Sequence, residues 1–198
     1  NEIAQSEAAN DVPFAKYWMH NAFLNIDNKK MSKSAGNFFT VRDISEKYDL
    51  QVLRFFMLSA HYRSPLNFSA DLMEAAKNGL DRIKTCNDKL SDMIKNAQDA
   101  VVTAKEQEMI DGLADYTKRF DEAMEDDFNT ADAISVIFEL VKYINVNILN
   151  TNNKTTLEEF NKELIKLSDI CGLILTQKDD ILDSEIEQLI ADRQTARK

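Results

Sequence analysis

The stretch SADLMEAAKNGLDRIKTCNDKLSDMIKNA, residues 69 to 97, decides the fold of this 198-residue chain. Its apolar residues recur at intervals typical of one face of an α-helix. They are Leu72, Ala76, Leu80, Ile83, Leu90 and Ile94. Ser69 precedes them and is the expected N-cap, because its hydroxyl can accept a hydrogen bond from the first turn. The pattern predicts a helix over residues 70–97, about 42 Å long at about 1.5 Å per residue.

Three more apolar stripes with helical spacing follow this stretch. They are Met109, Leu113, Tyr116, Phe120 and Met124; then Ile134, Ile137, Val141, Ile144 and Ile148; then Leu157, Phe160, Leu164, Leu167, Cys171 and Ile174. Asp126 and Asp127 precede the third helix, where their charge would favour its N-terminal dipole. A capping box from Thr155 to Glu158 should open the fourth helix, which should end near Gly172. Four amphipathic helices with short links predict an antiparallel bundle.

The residues before the bundle predict mixed structure. The patterns indicate short helices over residues 2–10 and 41–47, a strand over 18–26, and a helix from Asp49 to Ala60. Asp49 is the expected N-cap of that last helix, and Pro65 indicates a turn or an edge strand. At the other end of the chain, Ser184 and Glu187 form a second capping box.

Composition and charge limit the function classes. Apolar residues make up 44% of the chain, which is enough for a core, and no run approaches the 18 apolar residues of a membrane span. Cys86 and Cys171 are far apart and are expected to be reduced, buried thiols. Residues 1–66 carry a net charge of +1, whereas residues 67–198 carry −11. The acidic second part argues against broad nucleic-acid binding, so any such contact should be local.

The chemistry is concentrated in residues 29–40, Lys-Lys-Met-Ser-Lys-Ser-Ala-Gly-Asn-Phe-Phe-Thr. Lys30 and Lys33 supply positive charge, and the hydroxyls of Ser32 and Ser34 can donate hydrogen bonds. Gly36 allows a tight turn. This combination is typical of a loop that closes on a polyphosphate, and the order Lys-Met-Ser-Lys-Ser matches the second ATP-binding motif of class I aminoacyl-tRNA synthetases.

Flanking residues narrow the resemblance to cysteinyl-tRNA synthetases. The stretches that carry it are Asn1 to Ala8, Tyr17 to Asn21, Asn37 to Asp43, His61 to Ser69 and, in the helical part, Met124 to Ala131. The family also has a His-Ile-Gly-His-type motif, and neither His20 nor His61 lies in one. By resemblance Glu2 is one zinc ligand, and the other ligands would precede Asn1. The chain therefore resembles a C-terminal fragment, and zinc is expected in the full-length enzyme rather than in this fragment.

The resemblance implies a mainly α fold with a defined domain order. Residues 1–66 would be the remnant of a Rossmann-type class I catalytic domain, with the KMSKS loop and a connector that contacts the acceptor stem. Residues 67–176 would form the antiparallel helical bundle, which is DALR-like. Residues 177–198 would begin the C-terminal anticodon-binding region.

The implied function is cysteine–tRNA ligation, with the isolated fragment inactive. ATP with Mg²⁺, cysteine and tRNA(Cys) would be the substrates and partners of a monomeric, cytoplasmic enzyme without membrane contact. Lys30 and Lys33 would be catalytic, and ATP would also contact Met31, Ser32 and Ser34. The weaker candidates for tRNA contact are Arg42, Arg54, His61 and Arg63.

Two alternatives remain open from the sequence. One is a related cysteine ligase that passes the activated amino acid to an amino sugar instead of tRNA. The other is a helical interaction module without catalytic function. A nucleotide-dependent change would separate an enzyme from the second alternative, because a vestigial loop shows none.

Overall fold

The computed structural model describes residues 1–32, 34, 37 and 39–175. The first part of the chain comprises α1 (Glu2–Asn10), β1 (Leu24–Ile26), β2 (Lys29–Lys30), α2 (Val41–Ser45), α3 (Leu50–Leu58) and β3 (Leu66–Phe68). The bundle comprises α4 (Ala70–Lys95), α5 (Ala104–Asp111), α6 (Leu113–Glu125), α7 (Thr130–Asn147) and α8 (Lys154–Ile170). The protein is mainly α-helical, as predicted. The predicted capping box at Ser184 and the region 177–198 lie outside the described residues.

The three strands form one small sheet in the order β2-β1-β3. β1 pairs antiparallel with β2 and parallel with β3, so that Leu24 lies opposite Leu66. The strand predicted over residues 18–26 is shorter than expected, because only Leu24–Ile26 belongs to the ladder. Pro65 stands directly before β3 and has no N–H to extend the pairing. β3 is an edge strand of this sheet, which confirms the prediction for the segment after Pro65.

Two predicted N-caps are present. The Asp49 carboxylate accepts a hydrogen bond from the Gln51 N–H at 2.8 Å, and the Ser69 hydroxyl accepts one from the Leu72 N–H at 3.3 Å. Two predicted core residues are wrong. Leu72 is 44% exposed, whereas its neighbour Met73 is fully buried, and Ile174 is 56% exposed. The buried face of α4 passes through Met73, Ala76 and Leu80, so Leu72 lies beside that face.

The second predicted helix is two helices, α5 and α6, which meet at Gly112. The Tyr143 hydroxyl donates a hydrogen bond to the Met109 carbonyl oxygen at 2.8 Å. A continuous helix would offer that oxygen to the Leu113 N–H, so the tyrosine competes for it. A Cβ on residue 112 would lie 2.5 Å from the tyrosine oxygen, so only glycine permits this approach. The bundle therefore contains five helices instead of four.

The ends of α8 show one wrong and one confirmed prediction. Its N-cap is Asn153, whose side chain accepts a hydrogen bond from the Thr156 N–H at 3.2 Å, so Thr155 does not open the helix. At the other end Gly172 has φ +67°, where a side chain would be strained. The Gly172 N–H donates to the Asp169 carbonyl and the Leu173 N–H to the Ser168 carbonyl, which together make a Schellman motif.

A single hydrophobic core runs from α3 to α8. Val52, Phe55 and Phe56 of α3 belong to the same buried cluster as the bundle residues. The rings of Phe55 and Phe138 meet edge to face at 6.1 Å between centroids. Among the helices that the structure describes, none has the length and apolar composition needed to cross a bilayer.

Truncating one residue at the centre of this core tests the packing. Phe160 is fully buried and packs edge to face on Tyr143 at 6.2 Å. We expect Phe160→Ala to lower the free energy of unfolding by about 3–5 kcal/mol, because it removes a buried ring and leaves a cavity. Urea denaturation followed by circular dichroism measures this. The matched control is Leu149→Ala, since Leu149 is 78% exposed, and a cost comparable to that of Phe160→Ala would contradict the packing.

The two thiols supply a second test. Cys86 and Cys171 are free and buried, and burial raises the pKa of each thiol to about 11. A raised pKa means less reactive thiolate, so at pH 8 both should react with a disulfide reagent about a hundredfold more slowly than an ordinary thiol. Both should react fast in guanidinium. Fast reaction of the folded chain at pH 8 would contradict the burial.

Candidate functional site

The motif lies on a hairpin whose turn is fixed by backbone geometry. Asp27 and Asn28 connect β1 to β2, and both have positive φ, 47° and 62°. Two such residues make the type I′ turn that suits a two-residue hairpin. The Asp27 N–H donates to the Phe68 carbonyl at 3.1 Å, and the Asn28 N–H donates to the Asn67 Oδ1 at 2.7 Å. The end of the hairpin is therefore held on β3.

The two lysines of β2 occupy different faces of the hairpin. Lys29 lies opposite Ile26, which is buried, and Lys30 lies opposite Asn25. Neighbours in a strand point to opposite faces, so only one of the two lysines can face a given ligand. Both are exposed, and among the described residues neither has a carboxylate within ion-pair distance. The ammonium group of Lys30 can therefore meet an anion.

Asn37 closes the base of the motif loop. Its Nδ2 donates to the Lys30 carbonyl oxygen at 3.2 Å, and its Oδ1 accepts from the Ser32 N–H at 2.9 Å. The hydroxyl oxygens of Ser32 and Ser34 are 3.3 Å apart. Met31 and Ser32 are half-buried, whereas Ser34 is exposed. Lys33 and Gly36 lie outside the described residues. Sequence reasoning missed Asn37, although an amide that directly follows a glycine is a common loop-closing residue.

The chain after the loop is anchored by a helix cap and by aromatic packing. Thr40 and Asp43 form a capping box at the start of α2. Hydrogen bonds from the Thr40 N–H and then from its hydroxyl lower the pKa of the Asp43 carboxyl. Phe39 packs on Phe68, and Phe68 packs on Phe56 of α3, each pair at 5.8 Å between centroids. The chain before the motif loop and the chain after it therefore both contact β3.

The residues present do not fit the zinc site that the resemblance implies. Glu2 lies in the first turn of α1, with its side chain 82% exposed. In the described part of the chain, no three His, Cys, Asp or Glu side chains come together in a way that could hold a metal ion. One exposed carboxylate does not make a four-ligand site, so no step of the chemistry is assigned to a metal held by this chain.

The four residues proposed for tRNA contact lie in three different environments. Arg42 is exposed on α2 and belongs to none of the ion pairs among the described residues. The Arg54 Nη1 covers the end of α8, where a Cβ on Gly172 would lie only 2.7 Å from it. His61 and Arg63 both face the carboxylate of Asp127. The structure therefore does not bring these four together.

Asp127 is the residue that sequence reasoning placed wrongly. Asn129 caps α7, with its Oδ1 3.2 Å from the Asp132 N–H, so Asp127 stands two residues before the cap. Its φ is +57°, and its carboxylate turns away from α7 to accept a hydrogen bond from the Tyr62 hydroxyl at 2.8 Å. Aspartate tolerates this left-handed backbone better than most residues, which is the only local signal the sequence offered.

Comparison with known proteins finds two family models and several relatives that match this chain. The family model of the class I (C) tRNA synthetase catalytic domain matches residues 1–78, and that of the DALR domain matches residues 119–176. A cysteine–tRNA ligase of Lachnospira eligens is 63% identical over all 198 residues, and one of Clostridioides difficile is 50% identical over 202 aligned residues. This chain spans 42% and 43% of the length of these two relatives.

A solved structure shares the fold. The crystal structure of a ternary complex of Agrobacterium radiobacter K84 agnB2 LeuRS with tRNA and LeuAMS has a TM-score of 0.67. The match covers 88% of this chain and 24% of that one, at 16% identity, and so concerns the fold alone. The two family models, and the two relatives that match along the whole of this chain, show that it is similar to one part of the cysteine–tRNA ligases.

Proposed function

We propose that this chain is the part of a cysteine–tRNA ligase that carries the cationic loop of residues 29–40 and the helical bundle next to it. The complete polypeptide would condense cysteine with ATP and then pass the cysteine to tRNA(Cys). The observation that carries the proposal is the exposed Lys30, which leads from a pinned hairpin into Met31-Ser32-Lys33-Ser34. The two relatives named above bear the name cysteine–tRNA ligase, which favours tRNA over an amino sugar as the acceptor.

In the proposed reaction, negative charge develops where the lysine and serine side chains of the loop can bind it. The cysteine carboxylate attacks the α-phosphorus of ATP in line, and negative charge moves onto the departing pyrophosphate. Lys30 and Lys33 would approach that charge, and the hydroxyls of Ser32 and Ser34 would donate hydrogen bonds to phosphate oxygens. One ammonium at about 4 Å from one phosphate charge gains about 4 kcal/mol at an effective dielectric near 20, before desolvation. Only the part gained in the transition state increases the rate.

Closure of the loop over the nucleotide would be the second contribution of this chain to catalysis. The Asn37 side chain ties Lys30 to Ser32, so the base of the loop is held together. ATP would arrive with Mg²⁺, which neutralises part of the phosphate charge when bound. A zinc ion in the complete enzyme would need ligands besides Glu2. The enzyme would act in the cytoplasm as a monomer.

The domain division is also a proposal. Residues 1–66 would belong to the catalytic domain, residues 67–176 to the bundle, and residues 177–198 to the start of an anticodon-binding region. The DALR match at residues 119–176 supports the second assignment. RNA contact would be concentrated near Arg42, because that guanidinium is exposed beside the loop, whereas Arg54 and Arg63 are engaged with the bundle.

The role of the lysines can be tested in the complete enzyme by ATP–pyrophosphate exchange. We expect Lys33→Ala, and to a smaller extent Lys30→Ala, to lower the exchange rate, with Lys33→Ala costing about 10²–10³-fold as when one preorganised charge-stabilising donor is lost. Lys29→Ala is the matched control, since Lys29 is equally exposed but lies on the other face of the hairpin. A loss under threefold for Lys33→Ala, or an equal loss for Lys29→Ala, would contradict the assignment.

The 198-residue chain by itself should be inactive. It contains the lysine loop but no His-x-Gly-His sequence, so the adenine side of the nucleotide site would have to come from elsewhere. We expect no cysteine-dependent exchange of pyrophosphate into ATP above a blank without protein. Robust exchange by this chain alone would show that its residues form a complete nucleotide site. It would refute the proposal that the adenine side of that site comes from elsewhere.

A further inference from the structure

We propose that Asp127 is a positioning residue that holds the loop of residues 59–65 on the helical bundle, and that this contact serves transfer to RNA more than formation of the adenylate. The loop joins α3 to β3 and contains His61, Tyr62 and Arg63. The inference rests on the proposed function, because it divides the two steps of that reaction between parts of this chain.

Three side chains of the loop converge on the one carboxylate. The Asp127 Oδ1 accepts the Tyr62 hydroxyl at 2.8 Å, and its Oδ2 lies 2.8 Å from the Arg63 Nη2 and 3.8 Å from the His61 Nε2. The Arg63 Nε donates in turn to the Tyr62 hydroxyl oxygen at 3.1 Å. The rings of His61 and Tyr62 stack at 4.8 Å between centroids. The orientation of each of these three side chains is therefore set by Asp127 or by a neighbour bound to it.

The backbone at Asp127 is shaped for this contact. Asp127 and Phe128 both have positive φ, 57° and 56°, which is uncommon outside glycine. Such a conformation costs free energy and persists where surrounding contacts determine it. It lets the chain leave α6 and turn the carboxylate towards the loop before Asn129 caps α7.

The loop connects this contact to the hairpin that carries the lysines. The Tyr62 carbonyl oxygen accepts the Ala22 N–H at 2.8 Å, just before β1 begins. β3 follows the loop, pairs with β1, and holds the hairpin turn through Asn67 and Phe68. A shift of the loop of residues 59–65 would therefore move β1 and β3, and with them the lysine hairpin, relative to the turn between α6 and α7.

The contact adds little to the stability of the fold. The Arg63 side chain is 66% exposed and that of Asp127 is 36% exposed. Ion pairs this accessible to water contribute little, and the apolar packing of α3 on α4 holds the two parts together without it. What the contact adds is orientation, because it fixes the loop at a second point, away from the apolar contact.

Orientation matters most for a long substrate. ATP and cysteine are small, and their contacts would be confined to the catalytic part. An RNA is long enough to place its reacting end at the catalytic part and to contact the bundle locally as well, so its alignment depends on the relative position of the two. A misplacement of about 1 Å can cost about 10²-fold in rate.

The experiment separates the two steps in the complete enzyme. We expect Asp127→Ala to raise the KM for tRNA in aminoacylation by about tenfold, and to leave cysteine-dependent ATP–pyrophosphate exchange within about twofold of the unaltered enzyme. Asp126→Asn is the matched control, since Asp126 is the adjacent acid, is exposed, and forms no ion pair in the described part of the chain. This control should leave both activities unchanged.

A second variant checks that the effect passes through the loop. Tyr62→Phe removes one donor and keeps the stacked ring, so its effect combined with Asp127→Ala should be smaller than the sum of the two separate effects. A parallel loss of exchange and aminoacylation in Asp127→Ala, or no change in either, would overturn the inference. An unaltered enzyme that forms no cysteinyl-adenylate would instead overturn the proposed function, so the two failures are distinguishable.

Discussion

The packing of α3 on the bundle is the contact on which the rest of this structure depends. Val52, Phe55 and Phe56 place an apolar face on one side of a nine-residue helix, and this face is buried in the same core as α4 and α7. Without it, residues 1–66 would contact the bundle through a few partly buried residues such as Tyr48 and Leu66 and through exposed polar contacts, which contribute little free energy. The same helix leads into the loop of residues 59–65 and supports Phe68 through Phe56, so the hairpin with the lysines rests on it.

Around that apolar contact, polar contacts fix orientation at two separate places. At one, the Gln51 Oε1 accepts the Ile174 N–H at 3.1 Å, and Arg54 covers the glycine that ends α8. A guanidinium at the end of a helix is favoured by the helix dipole. At the other, Tyr62 and Arg63 reach Asp127. Hydrophobic burial is not directional, whereas hydrogen bonds at the periphery select one orientation from those that the core permits.

The predictions from sequence succeed where structure is local and fail where it depends on distant residues. The helical spacing of Ala76, Leu80 and Ile83 is a property of α4 alone, and α4 forms from Ala70 to Lys95. The break at Gly112 depends on Tyr143, which lies 31 positions further along the chain, so the only local signal was the glycine itself. The strand β1 begins later than predicted, at Leu24, because its parallel partner begins only at Leu66, after a proline.

The residues of the candidate site also divide into those that local sequence can indicate and those that depend on distant segments. The lysines and serines of the loop could be identified from their order, because that order is a compact chemical pattern. The amide bridge of Asn37 spans only seven residues and was within reach of a local argument. Asp127 was not, since the loop side chains that bind it are about 65 positions away and its turn conformation carries only a weak signal. Contacts between segments far apart in sequence are the part of a site that one sequence leaves undetermined.

The distribution of charge determines how an RNA could use this surface. Residues 67–198 carry a net charge of −11, so most of the bundle repels a phosphate backbone. Two of the three arginines in the first part are already engaged with the bundle, Arg54 at the end of α8 and Arg63 at Asp127. Arg42 stays exposed on α2, the helix that follows the motif loop in the chain. An RNA would then be held at few points, and with few points of attachment its alignment depends on how firmly α3 and Asp127 keep the first part of the chain in place on the bundle.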